Sequence, residues 1–146
     1  MIKLRAGSPY PLGPTLTGDG VNFAIYSENA SKIFLDLYNT ADQNYPSETI
    51  ELKEKDSYVW HVEVPGIRPG QLYAYRAAGK YSPQDGLFFN EHKTLIDPYA
   101  RALNSTLKWD NSVFPYDVEK SSVLIKDERD DAPYVPKGIV IDGSFD

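Results

Sequence analysis

The sequence predicts an all-β sandwich, and three observations predict it. Apolar and polar residues alternate with a period of two in one run after another, the pattern of strands buried on a single face. Aromatic residues make up 13% of the chain, 11 of them tyrosine, and such side chains suit the half-buried surface of a sheet. Glycine and proline cut the chain into short lengths, leaving little room for helix.

In order, the residues up to Gly20 are rich in Pro and Gly and predict an extended lead-in that closes in a turn at Gly18-Asp19-Gly20. Gly7 and Gly13 are followed neither by Gly-Lys-Ser/Thr nor by a helical pattern, so they do not form a phosphate cradle. Val21, Phe23 and Ile25 alternate with Asn22, Ala24 and Tyr26 as a first strand. After a turn at Asn29-Ala30-Ser31, Ile33, Leu35 and Leu37 alternate with Phe34, Asp36 and Tyr38, the expected antiparallel partner of the first. Asn39 to Ser47 reads as a polar loop, and Ile50 and Leu52 mark a short third strand. The charged cluster from Glu51 to Asp56 reads as a solvated sheet edge that discourages aggregation.

Tyr58, Trp60, Val62 and Val64 then alternate with Val59, His61 and Glu63, which puts His61 on the outward face. Past Pro65-Gly66 and Pro69-Gly70, Tyr73 and Tyr75 share one face while Leu72, Ala74 and Arg76 share the other, so a hairpin with a long loop is expected. Asp97 to Leu103 suits one or two helical turns, with Asp97 as the cap and Pro98 in the first turn. Lys108 to Pro136 reads as an extended segment over a surface, and Gly138 to Ile141 as a last strand. Strands of this length and spacing indicate an immunoglobulin-like β-sandwich over 1–104, followed by an extended segment over 105–146. Its expected core holds Phe23, Leu35, Trp60, Tyr73 and Tyr75.

Composition narrows the function. A chain of 146 residues can bury a core without staples, and with no cysteine it has no disulfide framework or thiolate metal site. A formal charge of -6 disfavours nucleic acid and anionic lipid as partners. No run of residues is long and apolar enough to span a bilayer, and Met1 to Arg5 lacks a signal-peptide core, so a cytoplasmic protein is expected. The carboxylate pairs Asp127/Glu128, Asp130/Asp131 and Asp142/Asp146 sit in polar sequence and read as solvated charge. A glycosidase needs one raised and one ordinary carboxyl group held rigidly across a cleft. His61 and His92 have no ligand-like spacing, so neither a metal nor a cofactor is implied, and no nucleophile elbow is present.

Certain motifs carry a family resemblance: Pro9-Tyr10-Pro11-Leu12-Gly13, Gly20-Val21-Asn22-Phe23-Ala24, Ser27-Glu28-Asn29-Ala30, Pro69-Gly70-Gln71-Leu72-Tyr73-Ala74-Tyr75-Arg76, Gly79-Lys80-Tyr81-Ser82-Pro83, Phe89-Asn90 and Asp97-Pro98-Tyr99-Ala100-Arg101. In this order and spacing the chain resembles the N-terminal domain of isoamylase-type glycogen-debranching enzymes, a family-48 carbohydrate-binding module, with the archaeal trehalose-operon enzymes as the nearest likeness. The resemblance implies a non-catalytic sandwich packed on an α-amylase-type barrel that hydrolyses α-1,6 linkages of glycogen or amylopectin. The barrel's catalytic Asp, Glu and Asp have no counterparts here, and Pro136 to Asp142 resembles the connection into it.

The resemblance also implies site residues. Tyr81 is the candidate for stacking on glucose, with a contact to the barrel or core as the favoured alternative. Leu72, Ala74, Arg76, Asn90, Tyr99 and Arg101 are the candidate domain-interface residues. Lys80, Phe88, Glu91 and Gly143 depart from the family pattern. The implied partners are an α-glucan, the barrel, or a second copy meeting an apolar patch of Leu72, Ala74, Pro115, Tyr116, Tyr134 and Val135. A free-standing maltooligosaccharide-binding module and a plain interaction domain are the competing readings.

Overall fold

The computed structural model describes residues 3–40, 45–85, 87–104, 115–117, 122–126 and 129–141. Its strands are β1 (Gly13–Leu16), β2 (Gly20–Tyr26), β3 (Ala30–Tyr38), β4 (Glu48–Glu51), β5 (Glu54–Asp56), β6 (Val59–Pro65), β7 (Leu72–Gly79), β8 (Tyr81–Ser82), β9 (Leu87–Phe88), β10 (Tyr116–Asp117), β11 (Ser122–Lys126) and β12 (Gly138–Ile139). Two four-stranded antiparallel sheets, in the orders β1-β2-β6-β5 and β12-β7-β3-β4, face each other as the predicted sandwich. Small ladders join β8 to β9 and β10 to β11. Among the described residues no helix is long and apolar enough to cross a membrane.

The expected core forms. Val21, Phe23 and Ile25 of β2 and Trp60, Val62 and Val64 of β6 pack against Ile33, Leu35 and Leu37 of β3 and Tyr73, Tyr75 and Ala77 of β7. Phe23 and Tyr73 meet at 5.1 Å between ring centroids, and Tyr73 and Tyr75 are edge to face at 6.0 Å. Gly138 makes room for this cluster, since a Cβ there would lie 2.8 Å from the Tyr73 ring.

The pairing differs from the expectation in two places. β2 does not pair with β3, nor β6 with β7; β2 pairs with β6 and β3 with β7, so both connections cross from one sheet to the other. Packed sheets lie about 10 Å apart and an extended residue spans about 3.3 Å, so the three residues between β2 and β3 suffice for the crossing. The β6–β7 crossing is tied down at both ends: the Gly66 amide donates to Asp19 O at 2.7 Å and the Gly70 amide to Val140 O at 2.6 Å. A hairpin and an arch turn the same residues inward, which is why alternation alone could not separate them.

The helix expected over Asp97 to Leu103 is also absent. Asp97 Oδ1 accepts the Tyr99 amide at 2.9 Å and Asp97 O the Ala100 amide at 3.0 Å, which closes a turn, and Leu103 then bridges to Gly138. His61 lies on the outward phase as expected but is buried, because the lead-in crosses over it: its Nδ1 donates to Ala6 O at 2.6 Å. The lead-in is clamped by both ends of the Asn22 amide, which accepts from Ser8 N at 2.8 Å and donates to Ser8 O at 2.9 Å.

The outward face of β3 and β7 is covered by the C-terminal residues. Leu72 and Ala74 are buried with Tyr38 beneath Ile139. Lys137, also buried, donates to Ala132 O and Val135 O, each at 2.5 Å, and stands 4.9 Å over the Tyr38 ring. Leu72, Ala74 and Val135 are therefore not part of an exposed apolar patch.

Candidate functional site

The residues predicted from the sequence do not converge on one site. Tyr81 is half-buried in β8, opposite Phe88 in the ladder. Arg76 closes within the chain, with Nε to Asp36 Oδ2 at 2.5 Å, Nη1 to His92 O at 3.0 Å and Nη2 to Asp130 Oδ1 at 3.0 Å. Asn90 is buried; its Nδ2 donates to Pro115 O at 3.0 Å and its Oδ1 accepts the His92 amide at 3.0 Å. His92 thus joins Arg76 and Asn90 in one internal network on the outward face of β7. Leu72, Ala74, Arg76 and Asn90 thus make contacts within this domain's own packing. Tyr99 and Arg101 are exposed.

The carboxylates need a second correction. Asp130 holds Arg76 and accepts the Ala132 amide at 2.9 Å, and Asp131, 1% exposed, accepts the Thr94 amide at 2.6 Å, so neither is idle solvated charge. Asp127, Glu128, Asp142 and Asp146 lie outside the described residues, as do Lys108 to Phe114 and Gly143. Burial raises the carboxyl groups of Asp97 and Asp131 above the ordinary range, partly offset by hydrogen bonds from Tyr99 and Tyr73 to the first and from Thr94 to the second. Both groups are buried. Among the described residues no group of His, Asp or Glu has the arrangement of a metal site.

The surface feature that sequence reasoning missed is a cleft of about 600 Å3 lined by Leu12, Ile25, Tyr26, Pro98 and Tyr99. It forms where the end of the lead-in meets the turn after Asp97, two motifs 80-odd residues apart in the chain that the fold makes neighbours. Tyr26 is the last residue of β2 and points outward; Ser27 N donates to Tyr58 O at 2.8 Å, which brings Tyr58 edge-on to the Tyr26 ring at 6.1 Å. Tyr99 is set from behind. Asp97, 2% exposed, accepts the Tyr73 hydroxyl at 2.7 Å with one oxygen and the Tyr99 amide with the other, which ties this wall to the core. Gly13 has φ +89, and a Cβ there would meet Tyr99 Cβ at 2.9 Å, so a glycine is what lets β1 approach the wall. The available signal was a tyrosine at the outward phase of β2, where Asn22 and Ala24 precede it.

A second, polar cleft of about 380 Å3 lies on the lead-in, lined in part by Tyr10, Thr15, Thr17 and Glu63. Glu63 is held there by Arg5 at 3.3 Å.

Residues 11–100 match the family model described as carbohydrate-binding module 48 (isoamylase N-terminal domain). A glycogen debranching enzyme of Yersinia enterocolitica is 40% identical over 146 residues, all of this chain and 21% of that protein. One of Erwinia tasmaniensis is 37% identical over the same span. The chain covers about a fifth of the length of these curated relatives, 21% in each case. Among solved structures, the catalytic module of the glycogen-degrading pneumococcal virulence factor SpuA aligns with a TM-score of 0.61 at 19% identity, covering 94% of this chain and 17% of that one. The pullulanase of Bacillus acidopullulyticus aligns at 0.56 and 21% identity, covering 92% of this chain and 12% of that one. At such identities the likeness concerns the fold. The family match takes in Leu12, Tyr26 and Tyr99 as well as both sheets up to β7, and the chain belongs to the carbohydrate-binding module 48 family.

Proposed function

We propose that this chain is the non-catalytic N-terminal accessory domain of a glycogen-debranching enzyme, which packs on an α-amylase-type barrel and helps shape the binding of an α-glucan whose α-1,6 bonds the barrel hydrolyses. The observation that carries the reading is the alignment of the whole chain with about a fifth of glycogen debranching enzymes. The domain's own chemistry agrees, since the carboxylates of Asp36, Asp97, Asp130 and Asp131 are engaged in structural hydrogen bonds rather than paired across a cleft. The exposed apolar side chains Leu95, Ile96 and Leu103, with Arg101 among them, supply a surface suited to a neighbouring domain.

The test compares the chain alone with the full polypeptide read from its gene. The chain alone is expected to release no reducing sugar from glycogen or pullulan, while the full polypeptide debranches and loses activity on glycogen when residues 1–146 are removed. Turnover by the chain alone overturns the reading, as does a gene that encodes no barrel with it.

A further inference from the structure

We propose that the cleft between Tyr26 and Tyr99 is a contact site for an α-glucan, with the two tyrosine rings as platforms for the apolar faces of glucose units. The inference rests on the glucan reading above and adds to it a place on the domain, away from Tyr81.

The chemistry of the lining selects this ligand. Leu12, Ile25 and Pro98 make an apolar floor, and Tyr26 and Tyr99, 54% and 53% exposed, present ring surface and a hydroxyl each at the rim. A pyranose has the matching character, apolar C–H faces with hydroxyls around the edge, so stacking and hydrogen bonding are satisfied together. Among the described residues that line the cleft none is charged, although the chain carries a net charge of -6, and such a lining suits a neutral ligand. A volume of about 600 Å3 falls within the range of small-molecule sites.

The walls are also set before a ligand arrives. Tyr26 is steadied by the edge of Tyr58, and Tyr99 by the chain of bonds from buried Tyr73 through Asp97 to its own amide. A backbone anchored in this way at Tyr99, and a ring contact at Tyr26, reduce the ordering that binding requires, so more of the contact appears as affinity. The turn at Asp97 and the glycine at Gly13 thereby acquire a joint purpose, the placing of one exposed ring.

The experiment titrates maltoheptaose into the whole chain by calorimetry, alongside Tyr26→Ala, Tyr99→Ala and Tyr81→Ala, with a thermal melt of each protein. Tyr26→Ala and Tyr99→Ala are expected to melt like the parent, because their rings are more than half exposed, and to bind about tenfold more weakly, the scale of one lost ring contact. Should either melt early, Tyr26→Glu and Tyr99→Glu, which place charge at the rim of the cleft, give the same readout. Binding by the parent that is unchanged in the cleft variants, or lost only in Tyr81→Ala, overturns the inference and leaves the glucan reading intact. No binding by the parent overturns the glucan contact as a whole, and the accessory-domain reading then stands or falls by the deletion of residues 1–146.

Discussion

Replacing Tyr73 by Phe isolates one hydrogen bond at the centre of the domain. The ring stays packed between Phe23 and Tyr75, so the change removes only the hydroxyl that donates to Asp97 Oδ2 at 2.7 Å. Burial pushes the Tyr73 hydroxyl far above its ordinary range, so it is a proton donor at every pH of interest. A hydrogen bond to a buried, charged carboxylate contributes about 1.5–3 kcal/mol, and among the described residues Asp97 keeps the Tyr99 amide. The loss at neutral pH is therefore about 2 kcal/mol.

Its pH dependence carries a sign. Burial raises the folded-state pKa of Asp97 above the ordinary 3.8, and the Tyr73 hydroxyl holds that rise down, so Tyr73→Phe raises it further. Above its folded-state pKa the carboxyl is charged in both variants and the missing bond costs most. Below 3.8 it is protonated folded and unfolded, and a neutral bond contributes about 0.5–1.5 kcal/mol. Urea unfolding followed by tryptophan fluorescence at neutral pH and at a pH just under 3.8 should show the deficit shrink by about 1 kcal/mol on acidification. A deficit under about 0.5 kcal/mol at neutral pH, or one that grows in acid, refutes the reasoning.

Three further outcomes are expected. Gly138→Ala places a Cβ 2.8 Å from the Tyr73 ring and should lower stability by about 1–3 kcal/mol in the same assay; a neutral result would mean that β12 does not lie on β7 as described. Arg76→Ala leaves the fully buried Asp36 with Thr49 as its side-chain partner among the described residues and should cost about 3–5 kcal/mol, whereas Lys126→Ala, which breaks the half-exposed pair with Glu91, should cost under about 1 kcal/mol; equal losses in the two would contradict the burial difference between the pairs. Trp60→Ala empties part of the core and should cost about 3–5 kcal/mol by urea unfolding, and a shift within about 0.5 kcal/mol would put its ring outside.

Alternation made the inner faces of β2, β3, β6 and β7 legible, since Phe23, Leu35, Trp60, Tyr73 and Tyr75 all point where their phase says. It left strand neighbours open, because a phase states which way a side chain faces and not which strand lies beside it. The turn at Asp97 was legible as a start signal, yet the second carboxylate oxygen goes to Tyr73 of another strand, a tertiary bond that no local pattern announces. His61 obeyed its phase and was hidden by the lead-in. Arg76 and Asn90 drew attention within family motifs and Asp131 as one of a carboxylate pair, and each has a partner 16 to 54 residues away in the chain. The Tyr26 and Tyr99 cleft needed the fold itself, because its two walls meet only through β1 and β2.

The late return of the chain to β7 bears on how the domain is made. Strand β7 emerges from the ribosome well before Gly138, and at about 5–20 residues per second several seconds pass between them. Through that interval the edge of β7 at Leu72 and Tyr73 lacks its β12 partner, the ion pair of Asp36 and Arg76 lacks Asp130, and Leu72 and Ala74 lack the cover of Ile139. An open strand edge beside uncovered apolar side chains is a site for intermolecular pairing. Nascent chains arrested before Gly138 has emerged should accordingly recruit strand-binding chaperones, and those extended until Ile141 has emerged should release them.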